Sequence, residues 1–245
     1  GPHLLLKGGE LHTMIKKVSR IKPSLKPLRP NKVMIVGHGM LQPLNNPKQM
    51  LAYKMGNDPI RENAVRLISG WGQDIPDRRK ALMKGRLCVV GEGWAGLVGR
   101  LASTLEEVGV PIQTGINIVE QNEGGVVTSK GLKIEADIVK MCDGSPVGKA
   151  VKVSTLDVVL NNKPLKGLHG LVKEDVAIID LAAIHPGKAP GMSHFSCISL
   201  TGGVSSIEEL LDDRVSGWRS HIVTMRANET ITLTDSRGHL SDGVI

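Results

Sequence analysis

The sequence is poor in aromatic residues. Among its 245 residues there are five: Tyr53, Trp71, Trp94, Phe195 and Trp218. Aromatic side chains usually supply much of the area that a core buries, so Leu, Ile, Val and Met must supply it here. Because aromatic side chains are few, the sequence gives no indication that nucleic-acid bases stack on them. Binding of nucleic acid is compatible with the positive net charge, but no other feature supports it.

Cysteines and long apolar runs are also scarce. Cys88, Cys142 and Cys197 are scattered along the chain and form neither a disulfide framework nor a Cys-x-x-Cys redox pair. No apolar run approaches 18 residues, so we expect no membrane span. The apolar stretch 4–6 is too short for the core of a signal peptide. A reducing, cytoplasmic setting is the expectation that follows.

Basic residues exceed acidic ones. The formal net charge is +7, and much of the excess lies in the first 32 residues. Pro23, Pro27 and Pro30 would interrupt any long helix there. We therefore predict that residues 1–30 form a basic, flexible arm, and that the protein favours anionic ligands such as nucleotides.

One stretch carries a recognisable chemical pattern. Residues 86–90 read as a short apolar strand, which runs into Gly91-x-Gly93-x-x-Gly96 and then into a helical pattern. In a dinucleotide fingerprint the first glycine allows the turn, the second lets the backbone approach a pyrophosphate, and the third lets helix and strand pack closely. The helix N-terminus then offers free N–H groups to the phosphates. The alternative is a strand–turn–helix whose glycines serve packing alone.

The residues after this motif continue the pattern. Leu97, Leu101, Leu105 and Val108 recur at helical spacing. Gly109 is then predicted to end the helix. A second strand is predicted at residues 116–120. Its last residue, Glu120, follows the motif at about the 20-residue separation at which an acidic residue accepts hydrogen bonds from a ribose.

The rest of the chain reads as an α/β protein. We predict a strand at 32–36, helices between 44 and 85 with a start near Asp58-Pro59, a hairpin within 126–139, and strands between 150 and 180. Residues 187–203 are predicted to be a loop, residues 205–211 to begin a helix, and Thr230 and Thr232 to lie on an edge strand. The predicted organisation is a Rossmann-like parallel sheet flanked by helices in residues 31–150, and a smaller, less regular, strand-rich region in 151–245.

Residues 88–97 and 108–146 together resemble the two-dinucleotide flavoproteins. These are the FAD- and NAD(P)-dependent pyridine nucleotide-disulphide oxidoreductases, which include type II NADH dehydrogenases and the small subunit of glutamate synthase. Cys88-Val-Val-Gly-Glu-Gly-Trp-Ala-Gly-Leu97 looks like their nucleotide turn, and residues 131–139 followed by Asp143-Gly-Ser-Pro146 look like their strand and Thr-Gly-x-x-Pro turn. Residues 176–180 resemble their Gly-Asp strand, whose Asp holds the ribityl chain of the flavin.

The sequence departs from this family at several positions. Ile179 stands where the family has Gly, Asp143 stands where it usually has Thr, and no redox cysteine pair is present, so disulphide reduction is not expected. At this length, two complete nucleotide domains and an interface domain do not fit. The resemblance therefore implies a single-nucleotide version, a fragment or a divergent relative.

These observations predict an oxidoreductase. It would bind FAD or NAD(P)H and pass a hydride or electrons to an unidentified acceptor; its catalytic residues are not identified, and a homo-oligomer or larger complex is compatible with the sequence. The two alternatives are a flavin-free NAD(P)-dependent dehydrogenase and a non-enzymatic, basic binding or assembly protein with a Rossmann-like core. The predicted cofactor-binding residues are Gly91, Gly93, Trp94, Ala95, Gly96, Leu97, Glu120 and Asp180.

Two further groups of residues have ordinary structural interpretations. His185, His194 and Cys197 match no standard zinc spacing, so no metal site is predicted. The three-residue spacing of His194 and Cys197 is too weak a pattern to identify a nucleophile pair. The loop His185-Pro186-Gly187-Lys188 is either a surface turn or a basic segment that touches phosphate or flavin.

Overall fold

A computed structural model of the chain describes residues 4–18, 22–37, 40–45, 58–73, 75–122, 124–139 and 151–233. Its contacts divide these residues into two units, which differ from the predicted boundaries at 30 and 150. The first unit contains residues 4–97 and 151–233, and the second contains residues 98–139. Residues 142–146, part of the family resemblance, lie outside the described residues.

Strands and helices are interspersed along the described residues. The strands are β1 (Leu5–Leu6), β2 (Leu25–Pro27), β3 (Val33–Gly37), β4 (Met40–Pro43), β5 (Leu87–Val90), β6 (Ile118–Asn122), β7 (Gly125–Thr128), β8 (Lys133–Glu135), β9 (Val151–Leu160), β10 (Gly170–Lys173), β11 (Val176–Asp180), β12 (Ser193–Ser199) and β13 (Ile222–Leu233). The helices are α1 (Glu10–Val18), α2 (Pro59–Gly70), α3 (Pro76–Met83), α4 (Gly93–Glu107), α5 (Leu181–Ile184) and α6 (Gly203–Arg214). Short 3-10 turns lie at Pro30–Lys32, Pro186–Lys188 and Trp218–His221.

A seven-stranded sheet dominates the first unit. Its strand order is β13-β9-β12-β11-β10-β3-β4. Among the described strands, β3 and β10 are a parallel pair and every other pairing is antiparallel. The chain is thus a mixed α/β protein, as predicted, but its main sheet is mostly antiparallel. The physical reason is that neighbouring strands, such as β3 and β4 or β10 and β11, are joined by short hairpins, which force antiparallel pairing.

The strand of the glycine motif lies in a separate sheet. β5 is the central strand between β1 and β2, and both neighbours are antiparallel to it. Leu5 pairs with Cys88, and Leu25 pairs with Val90. In a Rossmann-like sheet this strand would have parallel neighbours instead.

Residues 5–6 and 25–27, which lie within the predicted flexible arm, are strands of this sheet. Leu4, Leu5, Ile15 and Leu28 are buried although the segment is rich in lysine. These four side chains pack inward, while Leu11, Met14 and the lysines of α1 remain exposed. The prediction of a flexible arm does not capture this packing because the partner strand, β5, is some 80 residues away along the chain.

Two clusters of aliphatic side chains form the core of the first unit. One cluster includes Leu28, Leu67 and Leu87, and the other includes Leu156, with Phe195 and Trp218 as its aromatic members. This is the aliphatic core that the shortage of aromatics predicts.

The prediction of a loop over residues 187–203 is wrong. Residues 193–199 form β12, which is buried between β9 and β11. Ser193, Ser196 and Ser199 give this segment its loop-like composition. Two of these serines have polar partners within the protein: the Ser196 hydroxyl donates to the Asp157 carboxylate, and Ser199 Oγ accepts from the Gly202 amide at 3.1 Å.

The second unit contains the end of α4 and a three-stranded antiparallel sheet, β6-β7-β8. The hairpin predicted within 126–139 is confirmed by the pairing of β7 with β8, although β8 ends at Glu135. Gly109 follows α4 with φ +82°, the left-handed conformation expected of a glycine that ends a helix.

Candidate functional site

The glycine motif forms a strand, a turn and a helix at the predicted positions. All four residues of β5 are buried, and the chain turns at Gly91 before α4 begins at Gly93. Gly93 has φ +76°, a conformation in which a residue with a β-carbon is strained. The N–H groups in the first turn of α4 lack partners within the helix, as in any helix.

Gly91 is packed tightly against two distant segments. Its amide donates to the Ser24 carbonyl at 2.6 Å. A β-carbon at Gly91 would lie 2.8 Å from Ser24 Oγ and 3.0 Å from His185 Nε2. Glycine is therefore required here by close approach within the protein, in addition to the turn.

His185 brings the predicted basic loop to the turn. Its ring Nδ1 is buried and has no hydrogen-bond partner among the described residues. A buried polar atom without a partner is costly, which makes this ring a candidate contact for a ligand atom. The sequence indicates that this loop can touch phosphate, but it does not reveal the contact of His185 with Gly91.

Gly96 lies against the side chain of Glu92, whereas the sequence motif predicts that this glycine lets the helix pack closely on the strand. A β-carbon there would lie 2.9 Å from Cβ of Glu92, so this glycine makes room for a side chain of the same turn. The Glu92 carboxylate sits just before the positive end of α4, where a negative charge is favourable. The same charge opposes a bound phosphate, so Glu92 weakens the fit of a pyrophosphate at this turn.

The remaining residues of the turn differ in exposure. Trp94 is half-buried, Ala95 is exposed and Leu97 is buried. The backbone contacts predicted for Ala95 and Leu97 stay predictions.

Asp180 is buried at the end of β11 and holds the next helix. Its Oδ1 accepts hydrogen bonds from the amides of Ala182 and Ala183, both at 3.1 Å, and from the amide of His194 at 3.2 Å. Burial raises the pKa of Asp180, and hydrogen bonds from Ser193 and the three amides offset part of this rise. These contacts make Asp180 the N-cap of α5, a structural role that the sequence motif does not indicate.

Glu120 lies in β6 of the second unit. It pairs with Val127 and is exposed. β6 belongs to the β6-β7-β8 sheet, whereas the predicted ribose contact assumes a strand beside β5. The role of Glu120 stays a prediction.

His194 and Cys197 do not form a reactive pair. They are three residues apart on β12, so their side chains point to opposite faces of the sheet. Burial raises the pKa of the Cys197 thiol well above its ordinary value. No group of three or more His, Cys, Asp or Glu in the described residues is arranged to hold a metal ion.

Within the described part of the chain, no helix combines the length and the apolar character needed to cross a membrane.

The fold is similar to that of several solved structures. The PF1083 protein from Pyrococcus furiosus has a TM-score of 0.61 and 15% identity, with 88% of this chain and 71% of that chain covered. An oxidoreductase from Methanosarcina mazei has a TM-score of 0.57 and 13% identity, with 90% and 73% covered. RAB GDI from Plasmodium falciparum has a TM-score of 0.61 and 12% identity, with 96% and 74% covered. At such identities the likeness concerns the fold alone. No protein-family model and no curated protein sequence matches this chain.

Proposed function

We propose that this protein is an oxidoreductase that binds a dinucleotide, FAD or NAD(P)H, at the turn formed by residues 91–97. The observation that carries the proposal is the buried strand β5, followed by a glycine with positive φ and by the N-terminus of α4. The ring of His185 lies beside this turn: its Nε2 would be 3.0 Å from a β-carbon on Gly91, and its Nδ1 has no partner among the described residues. A helix N-terminus behind a glycine turn is a general binding site for phosphate groups.

The fold gives coarser support. The solved structure of an oxidoreductase from Methanosarcina mazei shares it over 90% of this chain. Because one fold can serve many functions, this similarity raises the expectation of redox chemistry without assigning a reaction.

The chain's own residues would have distinct tasks. The backbone at Gly93 and Ala95 would hold the pyrophosphate, and His185 would contribute a ring nitrogen. Asp180 would position the backbone that precedes His185. The bound cofactor would supply the hydride chemistry, while the acceptor stays unassigned.

An absorbance spectrum of the purified protein, followed by calorimetric titration with FAD, NADH and NADPH, tests this proposal. Visible flavin absorbance separates a flavoprotein from a flavin-free dehydrogenase. Gly93→Val is a poor probe because its φ would strain any β-carbon. Gly96→Val is better, since its β-carbon would lie 2.9 Å from Cβ of Glu92 and the backbone or side chain of the turn would have to shift.

Gly99→Val is the matched control for Gly96→Val. Gly99 lies in the same helix and is exposed, and a β-carbon there would meet no atom within 4 Å. The two variants therefore share the change in helix propensity from Gly to Val and differ in the contact with Glu92. We expect Gly96→Val to weaken dinucleotide binding by about ten-fold, as loss of one charge-assisted contact does. Equal affinities of the two variants would contradict binding at this turn.

A binding protein without redox chemistry is the second candidate. Two observations favour it: β5 has antiparallel neighbours on both sides, and a similar solved structure is a RAB GDI rather than an oxidoreductase. A basic binding protein would retain no nucleotide and would bind an anionic polymer with a steep dependence on salt. Measuring polymer affinity at two salt concentrations separates this candidate from the first.

A further inference from the structure

A cavity lies in the first unit, where β3 and β10 end side by side. These two strands are parallel, with Leu171 opposite Met34 and Val172 opposite Ile35, so their carboxyl ends meet at one edge of the sheet. Helix α2 begins at Pro59 beside this edge, and the cavity between them has a volume of about 780 Å³. Small-molecule sites commonly have volumes of about 300–1,000 Å³ and lie at the carboxyl ends of strands.

This cavity is separate from the glycine turn. It includes Glu174 and Asp175, which precede β11, whereas the turn contacts His185, which follows the end of β11. Neither His185 nor any residue of the turn, 91–97, lines the cavity.

The inner part of the cavity is apolar. Val36, Ala64 and Val172 are buried in its wall, and Ile60, 40% exposed, stands at its side. A smaller cavity of about 310 Å³ shares Ile60 and continues toward Asp58 and Arg61. An apolar ligand body would gain hydrophobic contact with these side chains.

Hydrogen bonds hold the acidic side of the cavity in place. Asn63 Nδ2 donates to the Glu174 carbonyl at 2.6 Å, and Glu174 has φ +52°. Asp175 Oδ2 accepts from the Thr201 amide at 2.8 Å and also from the Thr201 hydroxyl. The Asp175 carboxylate is thus already satisfied within the protein.

The basic side chains of the cavity are less engaged. Lys173 is half-buried, and its ammonium group has no carboxylate partner among the described residues. Arg214 Nε lies 2.9 Å from Asp213 Oδ2, but it is buried and makes no hydrogen bond to the described residues. Within the described chain, the terminal nitrogens of Arg214 have no such partner. Two basic groups and an apolar wall fit a ligand with an anionic head and an apolar body.

We propose that this cavity binds a small amphipathic organic acid, whose anionic group contacts Lys173 and Arg214 and whose apolar body lies against Val36, Ile60 and Val172. Charge-assisted hydrogen bonds from an ammonium and a guanidinium would hold the head group. The site is independent of dinucleotide binding, because it uses none of the residues of the glycine turn.

Calorimetric titration of the full chain with octanoate tests this proposal, with octylamine as the probe of opposite charge. We expect saturable binding of one octanoate, and binding of octylamine that is weaker by about ten-fold or more. Lys173→Gln should weaken octanoate binding about ten-fold because it removes one charge-assisted hydrogen bond. Ile60→Trp should abolish binding by filling the cavity from its exposed side.

Lys163→Gln is the matched control, since Lys163 is exposed and is not part of the cavity wall. It should bind octanoate as the parent does. The proposal is overturned if octanoate does not saturate, if octylamine binds as tightly, or if Lys173→Gln and Lys163→Gln bind alike. Binding to exposed apolar side chains elsewhere would give this last result. Lys173→Gln keeps the test decisive even if Ile60→Trp does not fold.

Discussion

In the first unit, Leu156, Phe195 and Trp218 are at most 1% exposed, whereas in the second unit Val108, Val119 and Ile138 are 70%, 65% and 75% exposed. The second unit shows the same exposure at other large apolar positions: Val98, Leu105, Val110, Ile112, Ile116, Ile118, Leu132 and Ile134. Apolar burial is the main stabilising contribution to a fold. The first unit therefore has a core of its own, and the second has little of one.

This difference bears on where function can be assigned. The glycine turn, Asp180 and the cavity all lie in the first unit, where packing fixes side chains in place. Glu120, in contrast, lies on an exposed strand of the second unit. The roles proposed for residues of the first unit therefore depend on packed geometry, while the role predicted for Glu120 depends on sequence separation alone.

The largest effect expected from this comparison is that of Trp218→Ala. Trp218 is 1% exposed, and its indole N–H donates to Asp212 Oδ1 at 2.8 Å. Truncation should lower the free energy of unfolding by about 3–5 kcal/mol. The matched change in the second unit, Val119→Ala, should lower it by less than about 0.5 kcal/mol. Urea denaturation of both variants measures the difference, and similar losses would mean that the second unit has a core of its own.

The next largest loss of stability is expected for Asp180, the buried carboxylate that caps α5 in the first unit. Asp180→Ala removes the acceptor of three amides and leaves them buried, so we expect a loss of about 2 kcal/mol of stability. Asp180→Asn keeps the acceptor oxygen and should lose much less. Denaturation midpoints of the two variants test this, and equal losses would show that the carboxylate charge matters more than the cap.

A smaller effect should appear in the pH dependence of stability. His169 is buried, its Nδ1 accepts from the Arg29 amide at 3.0 Å, and burial, together with Lys32 and Arg29, lowers its pKa to about 4. Above its ordinary pKa of 6.5, the ring is neutral in both the folded and the unfolded chain. As the pH falls from 6.5 toward 4, the unfolded chain takes up a proton first, so stability falls over this range.

We expect this loss to reach about 1–2 kcal/mol, less than the full pKa difference implies because solvent screens the charges of Lys32 and Arg29. His169→Asn keeps an acceptor for the Arg29 amide and should flatten the profile of unfolding free energy between pH 6.5 and 4. His221→Asn, beside Asn161, is the control and should leave the slope in place. An unchanged slope in His169→Asn would assign the pH dependence to other groups.

The smallest expected effect concerns the glycine turn itself. Glu92→Gln removes a negative charge before α4 and should tighten dinucleotide binding by roughly two- to five-fold, the range of one helix-terminus charge. Glu107→Gln, at the other end of the same helix, is the control. Calorimetry with FAD and NADH measures both, and a loss of affinity in Glu92→Gln would place the phosphates elsewhere.

Local features of the fold could be predicted from the sequence. Asp58 caps α2, with Oδ1 accepting from the Arg61 amide at 3.0 Å, and Gly91–Gly93 separates β5 from α4. These features depend on residues within a few positions of one another. Turn chemistry and helix caps are encoded at that range.

The sheet topology and the site contacts could not be predicted in this way. β12 could not be predicted because its serine-rich composition is typical of a loop, and a partner such as Asp157 lies on a neighbouring strand. β1 could not be predicted because it pairs with β5, far along the chain. The contact of Gly91 with His185 joins segments more than ninety residues apart. Contacts at such separations leave no periodicity in a single sequence.

Calorimetric titration of the full chain with FAD, NADH and NADPH, made on protein whose absorbance spectrum has been recorded, tests dinucleotide binding at the glycine turn. We expect saturable binding of one dinucleotide, about ten-fold weaker in Gly96→Val than in Gly99→Val. We also expect visible flavin absorbance if the dinucleotide is FAD. A protein that is colourless, and that binds none of the three in a saturable manner, would contradict it.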